Sequence, residues 1–137
     1  MILFVRCNIS LSQLVRYTIT KMLALSSTLI NQPILSLRTG GLIGNTVEPI
    51  INPHNLQIIG WWCEDLFNNR ESILQTSEVR DTIPRGIVID DHSAFSDLDD
   101  LARLKSIIEI DFKLINKTVR TKRKKLGKVS DYCYDEG

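Results

Sequence analysis

The chain contains two related stretches, and this internal repetition is the feature that most constrains its fold. Residues 29–51 read LINQPILSLRTGGLIGNTVEPII, and residues 114–129 read LINKTVRTKRKKLGKV, a shortened copy of the first part. In each copy Leu-Ile-Asn opens a short β-type run, a turn of Gly or Lys follows, and an aliphatic residue with Gly leads into a second β run. Two copies are fewer than a solenoid needs. The sequence therefore predicts two related domains, the second of them cut short.

The first copy and the residues after it have the patterns of three strands joined by tight turns. Residues 34–38 alternate apolar and polar side chains, and Thr-Gly-Gly at 39–41 supplies a turn where positive φ is permitted. A second run covers 43–51, and a third run, 56–63, is rich in β-branched and aromatic residues. The Asn-Pro pair at 52–53 is strong turn chemistry between them. This arrangement predicts an antiparallel meander.

Three further short runs complete the predicted sheet. Residues 72–76, 87–89 and 107–112 have β-like composition or alternation, and 65–71 and 78–81 are predicted as polar connections. Six short strands within about 85 residues predict an all-β fold closed into a small antiparallel barrel, because closure removes exposed strand edges. Strand alternation predicts four core residues, Ile34, Ile58, Trp62 and Val88.

One short helix is expected between the last two strands. Leu98, Leu101 and Leu104 recur at spacing three, which is typical of one helix face, and Ser96 or Asp97 can cap its start.

These residues resemble the PRC-barrel family, which includes the cytoplasmic part of the photosynthetic reaction centre H subunit and the C-terminal domain of the ribosome maturation factor. The resemblance rests on a strand, a Gly-rich turn, an aliphatic-Gly step and a long hairpin. It implies a PRC-barrel domain at 25–112, with one short helix, and the start of a second, incomplete one at 113–137. The motif residues are Gly40, Gly41, Gly44, Pro53 and Gly127. The resemblance implies a non-catalytic role in which the domain contacts proteins or larger assemblies. It implies no cofactor.

Residues 1–24 are expected to be an extension outside the barrel. The apolar opening is interrupted by Arg6, so neither a secretory signal nor a membrane-spanning helix fits. A weak amphipathic helix at 9–19 is one reading, and initiation at Met22 is the favoured alternative.

Charge and cysteine content give two further expectations. The chain has 17 basic and 16 acidic residues, yet residues 113–137 carry 8 basic against 3 acidic, a net +5. The three cysteines, Cys7, Cys63 and Cys133, form no metal-binding or disulfide pattern, so reduced thiols in a cytoplasmic protein are expected.

Three groups of residues were weighed as chemical sites. An acidic cluster with one histidine could bind a divalent cation, but it lacks the spacing of a calcium loop, and acids near a helix start explain it equally well. His92 with Ser93, or Cys63 with His54, belongs to no catalytic motif, so no enzyme activity is expected. The acidic cluster comprises Asp90, Asp91, His92, Asp97, Asp99 and Asp100.

The adjacent tryptophans Trp61 and Trp62 offer a further surface. On a strand one points inward and the other outward. An exposed tryptophan would mark a partner surface, and a covered one would pack under a hairpin or the tail.

The basic run in the second copy is the remaining candidate for partner binding. We expect a protein partner, with homodimerisation as a further possibility, and RNA or the ribosome as the alternative partner for a basic tail. A solvated turn between two strands is the plain structural explanation. The residues of this surface are Lys117, Arg120, Lys122, Arg123, Lys124, Lys125 and Lys128.

Overall fold

The computed structural model describes residues 3–6 and 23–135, and its regular structure is mostly β. Among these residues the only α-helix, α1, is Lys105–Ile108. The described strands are β1 (Leu3–Arg6), β2 (Leu23–Leu25), β3 (Pro33–Ser36), β4 (Leu42–Ile51), β5 (Ile58–Asp65), β6 (Arg70–Gln75), β7 (Val79–Ile83), β8 (Gly86–Ile89), β9 (Phe95–Ser96), β10 (Thr118–Arg120), β11 (Lys125–Lys128) and β12 (Asp131–Asp135).

The chain divides into two compact units. The larger unit is Ser27–Phe112 and contains β3 to β9 and α1. The smaller unit combines Met1–Ser26 with Lys113–Gly137, so it is built from both ends of the chain. Whether either unit is a PRC-barrel domain stays a prediction.

The larger unit is organised on one sheet of seven strands in the order β7-β8-β3-β4-β5-β6-β9. The predicted meander is present, because β3, β4, β5 and β6 pair in succession and antiparallel. Within the described residues β7 and β9, at the two ends of this order, do not pair with each other. The all-β class is therefore confirmed, whereas closure into a six-stranded barrel is not.

Three local expectations for this sheet were wrong. The pairing of β3 with β8 is parallel, with Ile34 opposite Ile87, so the sheet is not purely antiparallel. Residues 79–81, expected in a polar connection, belong to β7, whose central side chains are exposed as on an edge strand. Residues 107–112 were expected to be a strand, but Ile108 ends α1 and is buried in the core.

The helical segment covers one end of the sheet. A short 3-10 turn at Leu98–Asp100 precedes α1, and Asp97 occupies its N-cap position as expected. The Asp97 amide also donates to the Asp100 carboxylate at 3.4 Å. The expected helix over these leucines is not present, because Leu98 lies in the 3-10 turn while Leu101 and Leu104 lie in the connection to α1. All three leucines nevertheless pack on the sheet. The residues of this core cluster are Ile50, Ile73, Leu101 and Ile108, with Ile59, Trp62, Leu98 and Leu104 against them.

The sheet is covered on both faces, which decides the position of the two tryptophans. Trp61 is opposite Leu74 and is buried, whereas Trp62 is opposite Ile73 on the other face. Trp62 is half-buried and packs on the cluster beneath the helical segment. Neither tryptophan therefore provides a fully exposed partner surface. Of the other expected core residues, Ile34, Ile58 and Val88 are buried.

The turns predicted in the larger unit are present. Gly40 has φ of 70°, and its amide donates to the Ser36 carbonyl at 2.8 Å. At the turn containing Pro53, the Asn52 side chain accepts a hydrogen bond from the His54 amide at 2.9 Å. Gly44 lies where a Cβ would be 2.8 Å from the Glu64 carbonyl oxygen, so close strand packing requires glycine there.

The described residues of the smaller unit form two small sheets. One has the order β1-β12-β2, and the other is the two-stranded hairpin β10-β11. Residues 7–22, which include the expected amphipathic segment and Met22, lie outside the described residues.

The hairpins β3-β4 and β10-β11 have the same pairing register. Pro33, Ile34 and Leu35 pair with Asn45, Gly44 and Leu42, with a bulge before the last pair. Thr118, Val119 and Arg120 pair with Lys128, Gly127 and Lys125, and the bulge falls at the same place.

The backbone hydrogen bonds that close the two hairpins also correspond. The Asn31 amide donates to Thr46 at 2.7 Å, and the Asn116 amide donates to Val129 at 2.8 Å. Both asparagines have positive φ, 56° and 68°. The similarity between the two stretches of sequence is thus matched by a shared backbone geometry.

Candidate functional site

The hairpin of the smaller unit carries all seven expected basic side chains. We call residues 117–128 the basic hairpin, since they comprise β10, its turn and β11. All seven side chains are exposed, and no acidic residue occurs between 112 and 130. They are Lys117, Arg120, Lys122, Arg123, Lys124, Lys125 and Lys128.

The turn of the basic hairpin has a defined backbone. The Thr121 amide donates to the Lys124 carbonyl at 2.8 Å, and the Thr121 hydroxyl accepts from the Lys124 amide at 3.0 Å and the Arg123 amide at 3.3 Å. The consecutive cations at 122–125 therefore project from a hydrogen-bonded turn. Because the fields of these four closely spaced cations add, the turn creates a strong positive potential.

The cations on the two strands add to the same region. Arg120 is directly opposite Lys125, and Lys128 is opposite Thr118. Residues two apart on a strand share a face, so Thr118 and Arg120 point the same way. Both the strands and the turn of the basic hairpin thus present positive charge.

The cations of the basic hairpin differ in their partners from four of the six cations of the larger unit. Arg38, Arg70 and Arg80 each form an ion pair with an aspartate of the larger unit. Among the described residues, no acidic side chain is within ion-pair distance of six basic residues of the hairpin. These six are Arg120, Lys122, Arg123, Lys124, Lys125 and Lys128.

The two units also differ in net charge. Residues 27–112 contain 6 basic and 13 acidic side chains, which gives −7. The remaining residues contain 11 basic and 3 acidic side chains, which gives +8, and the sum is the overall +1. The positive potential is therefore concentrated in the smaller unit.

The acidic cluster at 90–100 is engaged in ion pairs and a cap. Arg38 reaches Asp91 at 2.8 Å, Arg70 reaches Asp97 at 3.1 Å, and Lys105 reaches Asp99 at 2.6 Å. Asp90 accepts a hydrogen bond from Arg80 Nε at 2.9 Å, and this hydrogen bond lowers the pKa of Asp90. Within the described part of the chain, no group of three His, Cys, Asp or Glu side chains is arranged to hold a metal ion.

A buried carboxylate forms a hydrogen-bonded node that sequence reasoning missed. Asp65 ends β5 with 0% exposure, although it was expected in a polar loop. Its Oδ1 accepts from the Phe67 amide at 2.9 Å and the Asn68 amide at 3.2 Å, while Oδ2 accepts from the Asn68 side chain at 2.9 Å. His92 Nε2 lies 2.9 Å from Oδ2. We call Asp65, Asn68 and His92 the Asp65 node.

Hydrogen bonds favour the ionised form of the Asp65 carboxyl group. Burial raises the pKa of Asp65, but donation from Asn68, Phe67 and His92 outweighs it, so the pKa lies below its usual value. The ionised carboxylate joins the β5–β6 turn to the segment that holds His92. The Asp-x-x-Asn spacing at 65–68 was the only local signal in the sequence, because His92 is distant along the chain.

The residue pairs weighed for catalysis occupy ordinary structural positions. His92 is engaged with Asp65, and its ring centroid lies 4.9 Å from that of Phe67 and 5.9 Å from that of Phe95. Cys63 is buried on β5, and burial raises the pKa of its thiol to about 12, so the thiol is protonated. His54 is exposed in the β4–β5 turn.

No family model, curated protein or solved structure matches this chain. Among the described residues, none of the helices has the length and hydrophobicity needed to cross a membrane. The basic hairpin is the candidate site because its cations are exposed and six of them have no acidic partner among the described residues.

Proposed function

We propose that this is a non-catalytic, PRC-barrel-like interaction protein whose basic hairpin binds an acidic surface of a partner protein. The observation that carries the proposal is the contrast in ion pairing. Four of the six cations of the larger unit form ion pairs with aspartates, whereas six of the seven cations of the hairpin have no acidic partner among the described residues.

Such a surface acts mainly through the rate and selectivity of association. Exposed ion pairs contribute only about 0.2–1 kcal/mol each, but a cluster of one sign steers oppositely charged partners and repels like ones. Two basic hairpins would repel each other, so a homodimer would not form through this surface. The hydrogen-bonded turn reduces the ordering needed on binding, since its backbone is already held by Thr121.

The assignment to a PRC-barrel-like fold is supported by the β-meander and by the repeated hairpin. The β3-β4 hairpin with its Gly turn continues into β5 through the turn at Pro53, as the resemblance implies. The same register recurs in β10-β11. We propose that the strands of the larger unit curve into a small barrel around Ile34 and its buried neighbours.

Reversing the charge of the turn is expected to abolish recovery of the partner. The variant carries Lys122→Glu, Arg123→Glu, Lys124→Glu and Lys125→Glu, and it should weaken binding by at least about 100-fold, because each change replaces attraction with repulsion. Recovery of the same protein from host lysate with wild-type and variant bait, followed by calorimetry with the purified partner, measures the effect.

The matched control exchanges lysine and arginine at the same four positions and keeps every charge. This variant should bind within about threefold of wild type, because long-range attraction depends on charge more than on head-group shape. Equal binding by the charge-reversed protein would contradict the proposal.

RNA is the second candidate ligand, because the unneutralised cations of the hairpin would also attract phosphate. The hairpin has no aromatic side chain on which a base could stack, which makes this candidate weaker. If about four phosphates were contacted, log affinity for single-stranded RNA would fall with log salt at a slope of about −3. Fluorescence anisotropy with a labelled RNA measures this slope, and absence of binding at low salt would remove the candidate.

A further inference from the structure

The β3-β4 hairpin of the larger unit shows how a third strand can pair with a hairpin of the same register as the basic hairpin. The register of β3-β4 is repeated in β10-β11, including the position of the bulge. In the larger unit the outer edge of β4 carries β5 as an antiparallel neighbour, with Asn45 opposite Glu64. Within the described residues β11 pairs only with β10, so its corresponding edge has no strand.

The backbone of Lys128 faces that open edge. The Val129 amide donates to the Lys117 carbonyl at 2.9 Å, and the Val129 carbonyl accepts from Asn116, so both groups of Val129 point toward β10. Because successive residues of a strand alternate in direction, the N–H and C=O of Lys128 point the opposite way. The larger unit has the same arrangement, since Thr46 bonds toward β3 and Asn45 pairs with β5.

The charge at this edge selects the kind of strand that could pair with it. Lys128 takes the position of Asn45, so a residue entering at the position of Glu64 would lie directly opposite a lysine. Opposite charges in directly facing positions stabilise a strand pair, whereas lysines on an edge discourage neutral or basic strands. A second copy of the basic hairpin is therefore excluded, and an acidic strand is favoured.

We propose that the outer edge of β11 binds an extended acidic segment of a partner protein as an added antiparallel strand. This deepens the proposed function and rests on it, since the same hairpin supplies the charge. Main-chain hydrogen bonds to Lys128 supply the pairing, and acidic side chains set the register against the flanking cations. Leu126, which is exposed on the same strand, is available to an apolar side chain of that segment.

Two synthetic peptides of the same sequence test this mode with the full-length protein. One is a short peptide of alternating valine and glutamate, and the other carries an N-methyl group on every backbone amide. Both have the same charge, but only the first can donate main-chain hydrogen bonds to β11. We expect the unmodified peptide to bind at least about tenfold more tightly, with a change in the Lys128 amide resonance by NMR.

Point variants provide a second readout. Lys128→Glu should lower the affinity for the unmodified peptide by about tenfold. Lys122→Glu, which lies in the turn and away from the strand ladder, should lower this affinity by less than about threefold. Equal affinity for the two peptides would overturn the inference and leave charge-driven binding intact. Binding of neither peptide, while the charge-reversed turn still loses the native partner, would also overturn the inference but not the proposed function.

Discussion

Replacing Gly86 with alanine is expected to lower the free energy of unfolding of the larger unit by about 4 kcal/mol or more. Gly86 has φ of 139°, a conformation that L side chains rarely adopt. An added Cβ would lie 2.1 Å from the Pro33 carbonyl oxygen and 2.9 Å from its carbon. This contact occurs where β8 runs parallel to β3, so relief of the clash would separate Ile34 from Ile87.

Urea denaturation followed by tryptophan fluorescence measures this effect, because Trp61 and Trp62 both lie on β5 of the larger unit. Gly40→Ala is the matched control. Gly40 also has positive φ, 70°, but nothing lies within 4 Å of the added Cβ, so only the backbone cost of about 1–2 kcal/mol is expected. If Gly86→Ala lowered the free energy of unfolding no more than Gly40→Ala, the close contact with Pro33 would not explain the effect.

Asp65→Asn is expected to cost about 3 kcal/mol near neutral pH. The substitution removes the charge from a buried carboxylate that accepts hydrogen bonds from the backbone amides of Phe67 and Asn68 and from the side chains of Asn68 and His92. An amide nitrogen also replaces one acceptor oxygen, which leaves a buried donor facing another donor. The exposed Asp99, which pairs with Lys105, is the control, and Asp99→Asn should change stability little.

The same variant should reduce the dependence of stability on acid pH. The pKa of Asp65 is lower in the folded protein, so its stabilisation is present above the unfolded pKa and is lost as pH falls through the folded pKa. Urea midpoints from neutral pH to about pH 3 should therefore fall less steeply for Asp65→Asn than for wild type. Identical slopes would mean that the carboxylate contributes no proton-linked stability.

The meander was predictable because strands and tight turns are determined largely by neighbouring residues in the sequence. Apolar–polar alternation and the turns at Gly40 and Pro53 depend on neighbouring residues, and the structure places β3, β4 and β5 accordingly. The exposure of the basic side chains was also predictable, because a hairpin formed by residues 114–129 places the cations at 122–125 in its turn.

Features that depend on distant partners were missed. Residues 78–81 were predicted as a polar connection because most of their side chains are charged, yet β8 provides a strand partner for Val79 and Asp81. Residues 107–112 have the composition of a strand, but burial of Ile108 against Ile50 favours α1. The Asp65 node could not be inferred because His92 belongs to another segment.

The pairing of β1 with β12 has a consequence for synthesis on the ribosome. Arg6 pairs with Asp131 and Leu3 pairs with Tyr134, so the partners are separated by nearly the whole described chain. Translation proceeds at about 5–20 residues per second, so β1 emerges several seconds before its partner exists. The larger unit can complete its sheet during that interval. The nascent β1 must remain available, or be held by a chaperone, until the last strand leaves the exit tunnel.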